Sequence, residues 1–214
     1  VLEASGSEIG VVTGVQGFRW FTVTLTGDPA HAGPTPMDLR HDPARPLAEV
    51  VEGIYRIAAD RGSWARATVA QFRSQPVSPN TVPAVIQFSV DMRHPEVDVL
   101  DGMAADLRAL VVSSAERHGC GAEVAVDDGL PPVAFDGRCV AAVASAAEAT
   151  GRACERIVSG AGHDACYVAS RGPAAMVFVP CRDGLSHNEA ESIEPGQAEV
   201  GAEVLLHAAL SLAS

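Results

Sequence analysis

The order in which the hydrophobic period of this chain switches between two and 3.6 residues restricts its fold more than any other feature. From Phe18 to Thr26 aromatic and β-branched residues alternate (Phe18, Trp20, Phe21, Val23, Leu25) and stop at Gly27, the signature of a strand. A turn-rich stretch follows, after which Leu47, Val50, Val51, Ile54 and Ile57 recur at helical spacing and predict an amphipathic helix from about Pro43 to Asp60. Thr68–Phe72 and Val85–Arg93 read as strands separated by a Pro-, Ser- and Asn-rich segment over 76–83. Leu100, Met103, Leu107, Leu110 and Val111 mark a second helix that ends near Gly119, and Glu123–Val126 reads as a short last strand. Strand, helix, strand, strand, helix, strand is the split β-α-β order of ferredoxin-like domains.

After Gly129-Leu130-Pro131-Pro132 the rhythm changes. A helix containing Val140, Val143, Ala144 and Ala147 precedes a short strand over 155–158 and the turn Gly160-Ala161-Gly162-His163-Asp164. A helix through Tyr167, an apolar strand over 175–179, a loop holding Ser186-His187-Asn188 and a last helix complete the chain. That last helix is expected to present Ala198, Ala202, Leu205, Ala209 and Leu212 on its apolar face. Alternation of helix and strand implies an open α/β sheet. With only two or three strands, this sheet is expected to be completed by residues outside the present sequence. The opening residue, Val1 rather than Met, agrees with a missing upstream part.

A hydrophobic fraction of 47% with 20% charged residues is the balance of a folded globular protein. The net charge of −12 argues against nucleic acid or an anionic membrane as partner. No apolar run reaches membrane-spanning length, and the first residues lack the basic and apolar regions of a signal peptide. The five cysteines form no CxxC pair, so reduced and mostly buried thiols in a cytoplasmic protein are expected.

Of the seven histidines, His41, His118 and His207 lie in helical, solvated contexts, whereas His31, His163 and His187 lie in small-residue loops near strand or helix ends. His187 follows the apolar strand and has two readings. It is a ligand for a borderline divalent metal, its other nitrogen oriented by Asp183 or Glu191, or it is a loop histidine bonded to backbone. No HxH or HExxH pair accompanies it, so three or more protein ligands cannot be assembled from nearby residues. The turn holding Gly162 and His163 either offers N–H groups to an anion or is glycine-rich for geometry alone. It departs from GxGxxG, which disfavours a dinucleotide site. Arg93 at the end of a strand could grip a carboxylate with two N–H groups or pair with Asp91 or Glu96 on the surface. Asn80 is a ligand contact or a turn residue.

Four strings, taken together and in order, narrow these alternatives: Gly27-Asp28-Pro29-Ala30-His31-Ala32-Gly33-Pro34-Thr35-Pro36-Met37; Asn80-Thr81-Val82-Pro83; Asp91-Met92-Arg93-His94-Pro95; and Gly160 to Asp164 with Pro180 to Glu191. The chain resembles the N-carbamoyl-L-amino-acid hydrolases, with allantoate amidohydrolases and β-ureidopropionases as near relatives, in the wider aminoacylase and carboxypeptidase clan of two-metal hydrolases. The resemblance implies a ferredoxin-like lid and dimerisation domain at 16–128, and part of a catalytic α/β domain at 1–15 and 129–214. It implies His187 as the last metal ligand, and His31 as the lid histidine that reaches a dimer partner's site to steady an oxyanion. Asn80 and Arg93 would hold the substrate carboxylate, and Gly162 and His163 would form the substrate-side loop.

Two divalent ions (zinc, manganese, cobalt or nickel) would be bound by the complete enzyme and not by this chain alone. The resemblance implies that the remaining ligands and the water-activating glutamate lie in a preceding half. Ala84 stands where the family has glycine and Cys181 where it has serine, both small changes. The implied partners are a small carboxylate-bearing substrate, a second copy of the chain and the missing N-terminal half. The rival from another class is a catalytically silent dimerisation or ligand-binding module. Allantoate or β-ureidopropionate is the alternative substrate.

Overall fold

The computed structural model describes residues 1–214. In chain order the elements are α1 (Leu2–Ser5), β1 (Ile9–Val15), β2 (Gly17–Thr26), β3 (Ala30–His31), α2 (Ala44–Asp60), β4 (Arg66–Gln75), β5 (Thr81–Val82), β6 (Val85–His94), α3 (Val97–Arg117), β7 (Gly121–Leu130), β8 (Val133–Ala134), α4 (Gly137–Ala149), β9 (Cys154–Ser159), α5 (Asp164–Ala169), β10 (Met176–Phe178) and α6 (Pro195–Ala213). They form two compact units, Gly17–Pro132 on its own and Val1–Gln16 together with Val133–Ser214. No helix is long and apolar enough to cross a membrane.

The Gly17–Pro132 unit is an antiparallel sheet in the order β4-β6-β2-β7, the ferredoxin-like arrangement expected from the order of periods. Its spine is the β2–β6 pair, which runs unbroken from Gly17↔His94 to Thr26↔Val85. Along β6 every second residue is buried, and Ile86, Phe88, Val90 and Met92 join one core with Val50 and Ile54 of α2 and Leu100, Leu107 and Val111 of α3. Val85, Gln87, Ser89, Asp91 and Arg93 therefore share the opposite face, which the helices leave open. Burying each large apolar side chain contributes about 1.5–3 kcal/mol, so this core dominates the stability of the unit.

Two groups of contacts tie the connections of this unit. Gly27 admits no side chain, because a Cβ there would lie 2.0 Å from the carbonyl oxygen of His41, where the long loop after β2 returns to its own start. His41 Nδ1 then donates to Asp28 Oδ2 at 2.7 Å. Glu49 on α2 accepts from His118 Nε2 at 2.8 Å and from Arg117 Nη2 at 2.6 Å, linking α2 to the end of α3. His118 and Arg117 together hold the Glu49 carboxyl down to about 2.

In the other unit β1 is central. It pairs in parallel with β9 along one edge, and in antiparallel fashion with β10 and β8 along the other. Six of its seven residues are buried, as for a strand covered on both faces. Gly10 is needed there, since a Cβ would come within 2.7 Å of Ile157 Cδ1.

Several expectations need correction. The inner unit runs from Gly17 to Pro132 rather than 16–128, because β7 continues past Val126 to Leu130. Backbone pairing with β2 needs no apolar side chains there, and a bulge between the Trp20↔Asp128 and Phe21↔Val126 pairs accommodates Asp127. The strand β1 was not expected at all. The last helix turns Val204 and Ala208 inward, with Gly201 against Val179, and leaves Leu205 and Leu212 exposed. The predicted stripe is thus rotated onto the outer face. All five thiols are free, but only Cys166 is buried and Cys154 is exposed. His118, expected to be solvated, keeps only 13% of its side chain exposed because Glu49 draws it in.

Phe21 is fully buried whereas Val112 on α3 is 46% exposed. Phe21→Ala should lower the unfolding free energy by about 3–5 kcal/mol and Val112→Ala by less than ~0.5 kcal/mol, measured by urea denaturation. Glu49 titrates lower in the folded chain than its ordinary 4.5. Its contribution is therefore present above that value and is lost as pH falls through the window from about 4.5 to about 2. Glu49→Gln should flatten the acid limb of a stability–pH profile in that window, an effect that added salt reduces.

Candidate functional site

At one end of the ferredoxin-like unit, β3 and β5 pair through Ala30↔Val82 and His31↔Thr81, and Ala32 N–H donates to Asn80 O at 2.8 Å. His31 and Asn80 are thereby brought side by side in one exposed ribbon. Gly33 N–H donates to His31 Nδ1 at 3.1 Å, which puts the proton of the neutral ring on Nε2 and makes that nitrogen a donor. Ser78 Oγ donates to Asn80 Oδ1 at 2.6 Å, leaving the amide N–H groups of Asn80 as its outward chemistry. Arg40 was not singled out from the sequence. Its guanidinium donates from Nη2 to Ala32 O at 2.6 Å and to Thr35 O at 2.7 Å, and from Nε to Thr35 O at 3.0 Å.

Arg93 stands at the far end of the same unit. Eight residues of extended strand separate it from Val85, about 27 Å at ~3.4 Å per residue, so the sheet keeps Arg93 apart from Asn80 and His31. The guanidinium donates from Nη2 to Asp91 Oδ2 at 2.6 Å and from Nε to both Asp91 oxygens at 3.1 Å. It also lies over the Phe18 ring, 5.9 Å from the centroid. Of the two readings of Arg93, the ion pair with Asp91 is therefore present, and it holds the guanidinium charged, above its already high ordinary pKa. Asp91 and Arg93 share the open face of the sheet, where a hollow of about 280 Å³ is bordered by Asp91, Trp20 and Ser89. Next to Arg93, His94 turns inward and its Nδ1 accepts Glu96 N–H at 3.0 Å.

In the other unit, His163 sits between β9 and α5. The buried Ser159 hydroxyl donates to Ala161 O at 2.9 Å, so it accepts from His163 Nε2–H at 3.1 Å, and the ring meets Phe178 edge-on. Ser159 escaped the sequence reading, although a lone polar residue closing the apolar run Ile157-Val158 was the available signal. Gly160 and Gly162 have neither a left-handed φ nor a neighbour that a Cβ would touch, so local geometry alone does not demand glycine at either position.

His187 lies in an exposed loop at φ 55°, a conformation uncommon for a residue with a Cβ. Its backbone N–H donates to Glu191 Oε2 at 2.9 Å. Glu191 thus orients the backbone of His187 and not the ring, contrary to expectation. The exposed imidazole suits a divalent metal as one donor. No three His, Cys, Asp or Glu side chains are grouped so that they could hold a metal ion, whereas a zinc-type centre takes about three or more protein ligands. The residues present fit a metal centre to the extent of that one imidazole.

Comparison with known proteins gives a consistent picture. The chain is 42% identical over 213 residues to an N-carbamoyl-L-amino-acid amidohydrolase of Rhizobium meliloti, covering 100% of this chain and 51% of that protein. It is 36% identical to an allantoate amidohydrolase of Bacillus subtilis, covering 95% of this chain and 50% of that protein. Among solved structures, a hydantoinase/carbamoylase family amidase from Burkholderia multivorans superposes with a TM-score of 0.92 at 48% identity, over 99% of this chain and 51% of that one. The chain therefore spans about half the length of the curated relatives it matches. Residues 3–211 match the model of peptidase family M20/M25/M40, and the chain is a member of that family.

Proposed function

We propose that the chain supplies an oxyanion donor, a carboxylate clamp and one metal ligand to a metal-dependent amidohydrolase. Its substrates would be N-carbamoyl-L-amino acids or closely related linear ureido acids, and it would work as a homodimer. The observation that carries this reading is the division of chemistry along β6. An imidazole and an amide lie beyond the Val85 end of the strand, and Arg93 lies about 27 Å of extended strand from Val85 at the other end. A ureido acid is only a few bonds long and cannot touch both ends of one unit. His31 and Asn80 from one copy and Arg93 from another satisfy that constraint. The amidohydrolases among the relatives support the reaction class.

Arg93, held charged and oriented by Asp91, binds the substrate carboxylate and fixes the acyl group relative to the attacking water. Asn80 adds neutral N–H donors to the same anion. His31 presents Nε2–H to the ureido oxygen as it gains charge in the tetrahedral state, and a neutral donor of this kind needs no proton transfer to act. Divalent ions, one of them held by His187, would supply Lewis acidity and lower the pKa of a bound water towards neutrality. His163, held by Ser159, is a fixed wall of the substrate loop.

In the active protein containing this chain, His31→Ala should lower kcat by about 10²–10³ with little change in KM. Arg93→Ala should instead raise KM for the carboxylate substrate about 10–100-fold, the loss of a charge-assisted pair. A 1:1 mixture of the two variants, assayed at substrate well below KM, should recover about a quarter of wild-type activity, because about half of its dimers are heterodimers and each of those keeps one of two sites with both groups intact. No recovery in verified heterodimers overturns the shared site. If the metal-loaded protein hydrolyses neither N-carbamoyl-L-amino acids, allantoate nor β-ureidopropionate, the silent-module reading replaces the enzyme.

A further inference from the structure

We infer that Arg40 is a positioning residue that sets the tautomer of His31 by gripping a single peptide unit. The ribbon carrying His31 is weak by construction. β3 and β5 are two residues each, and isolated two-stranded ribbons are marginal in water. The turn that follows contains Pro34 and Pro36, which remove two backbone donors. Its inward carbonyls at Ala32 and Thr35 are met instead by Arg40, which reaches back from beyond the turn with Nη2 and Nε.

The decisive detail is which peptide Arg40 holds. The carbonyl of Ala32 and the N–H of Gly33 are opposite poles of one rigid, planar unit. Arg40 Nη2 grips the oxygen at 2.6 Å, and the N–H at the other pole points at His31 Nδ1, 3.1 Å away. Rotating that peptide would withdraw the donor from Nδ1 and free the imidazole proton to move there. The base of the loop does not depend on Arg40, since the His41–Asp28 pair and the His41 carbonyl packed on Gly27 close it independently. The planar fork matters as well as the charge, because one group must serve two carbonyls at once.

The consequence for catalysis rests on the reading of His31 as oxyanion donor, whereas the tautomer itself does not. The experiment is a two-bond ¹H–¹⁵N correlation spectrum of the histidine rings in the 214-residue chain. His31 is expected as a single Nε2–H tautomer. In Arg40→Ala it becomes a mixture with Nδ1–H, while His163 stays unchanged as an internal control. Arg40→Lys keeps charge and stem, should shift His31 in the same direction, and carries the test if Arg40→Ala does not fold. An unaltered His31 tautomer in a folded Arg40 variant overturns the inference. In the active protein, Arg40→Ala should lower kcat at least ~10-fold at constant KM, and should add no further loss to His31→Ala. A full additional loss in the double variant means that Arg40 acts elsewhere and also overturns it. If His31→Ala leaves kcat intact while the tautomer still shifts, the oxyanion role fails and the positioning stands.

Discussion

Ten consecutive residue pairs between β2 and β6 hold the ferredoxin-like unit in register, and nearly everything of chemical interest in that unit is positioned by them. Side chains alternate across a strand, so a slip of one residue would send Arg93 towards the helices and Met92 outward. The register resists such a slip because Phe21, Val23 and Leu25 of β2 and Phe88, Val90 and Met92 of β6 are all buried under α2 and α3. The same ladder works as a ruler. It holds Arg93 at one end and, through the short connection before Val85, keeps Asn80 and His31 at the other.

Most of the candidate groups are already engaged. Arg93 has a carboxylate and an aromatic ring, His163 has a buried hydroxyl, and His31 has a backbone N–H on its inner nitrogen. Each contact removes rotational freedom and, for the histidines, selects one tautomer, which is preorganisation. His187 is held differently. Its backbone is fixed in a left-handed conformation by Glu191 while its ring extends from an exposed loop. That arrangement suits a donor whose companions come from other residues.

How far the sequence could be read depended on the range of the interaction involved. The elements of the inner unit followed from periodicity, because Val50, Ile54, Leu100 and Leu107 are periodic for the same reason that they are buried. The strand β1 was harder, since a short apolar run with two glycines carries no alternation, and its central place is set by β8, β9 and β10 far along the chain. The last helix is apolar nearly all round, so its sequence does not single out an inner face. Contact with Val179 and α4 decides that Val204 and Ala208 go inward. In the site, spacing could mark His31, Asn80, Arg93, His163 and His187 as loop or strand-end groups. It could not show that the first two share an end of the sheet that Arg93 does not, nor that Glu191 bonds the backbone of His187. Arg40 was invisible for a related reason, because its role lies in two carbonyls of a turn and no side-chain pattern reports on those.

The outward row on α6 has a physical consequence of its own. Leu205, Leu206 and Leu210 are each more than half exposed, on a chain whose formal charge is −12. Like charge pushes copies apart over a Debye length, about 30 Å at 0.01 M salt but only about 3 Å at 1 M, whereas attraction between apolar faces survives added salt and is strengthened by sulfate. Colloidal behaviour should therefore invert with ionic strength: dispersed in dilute buffer, and drawn together through this helix as the counter-ion cloud contracts.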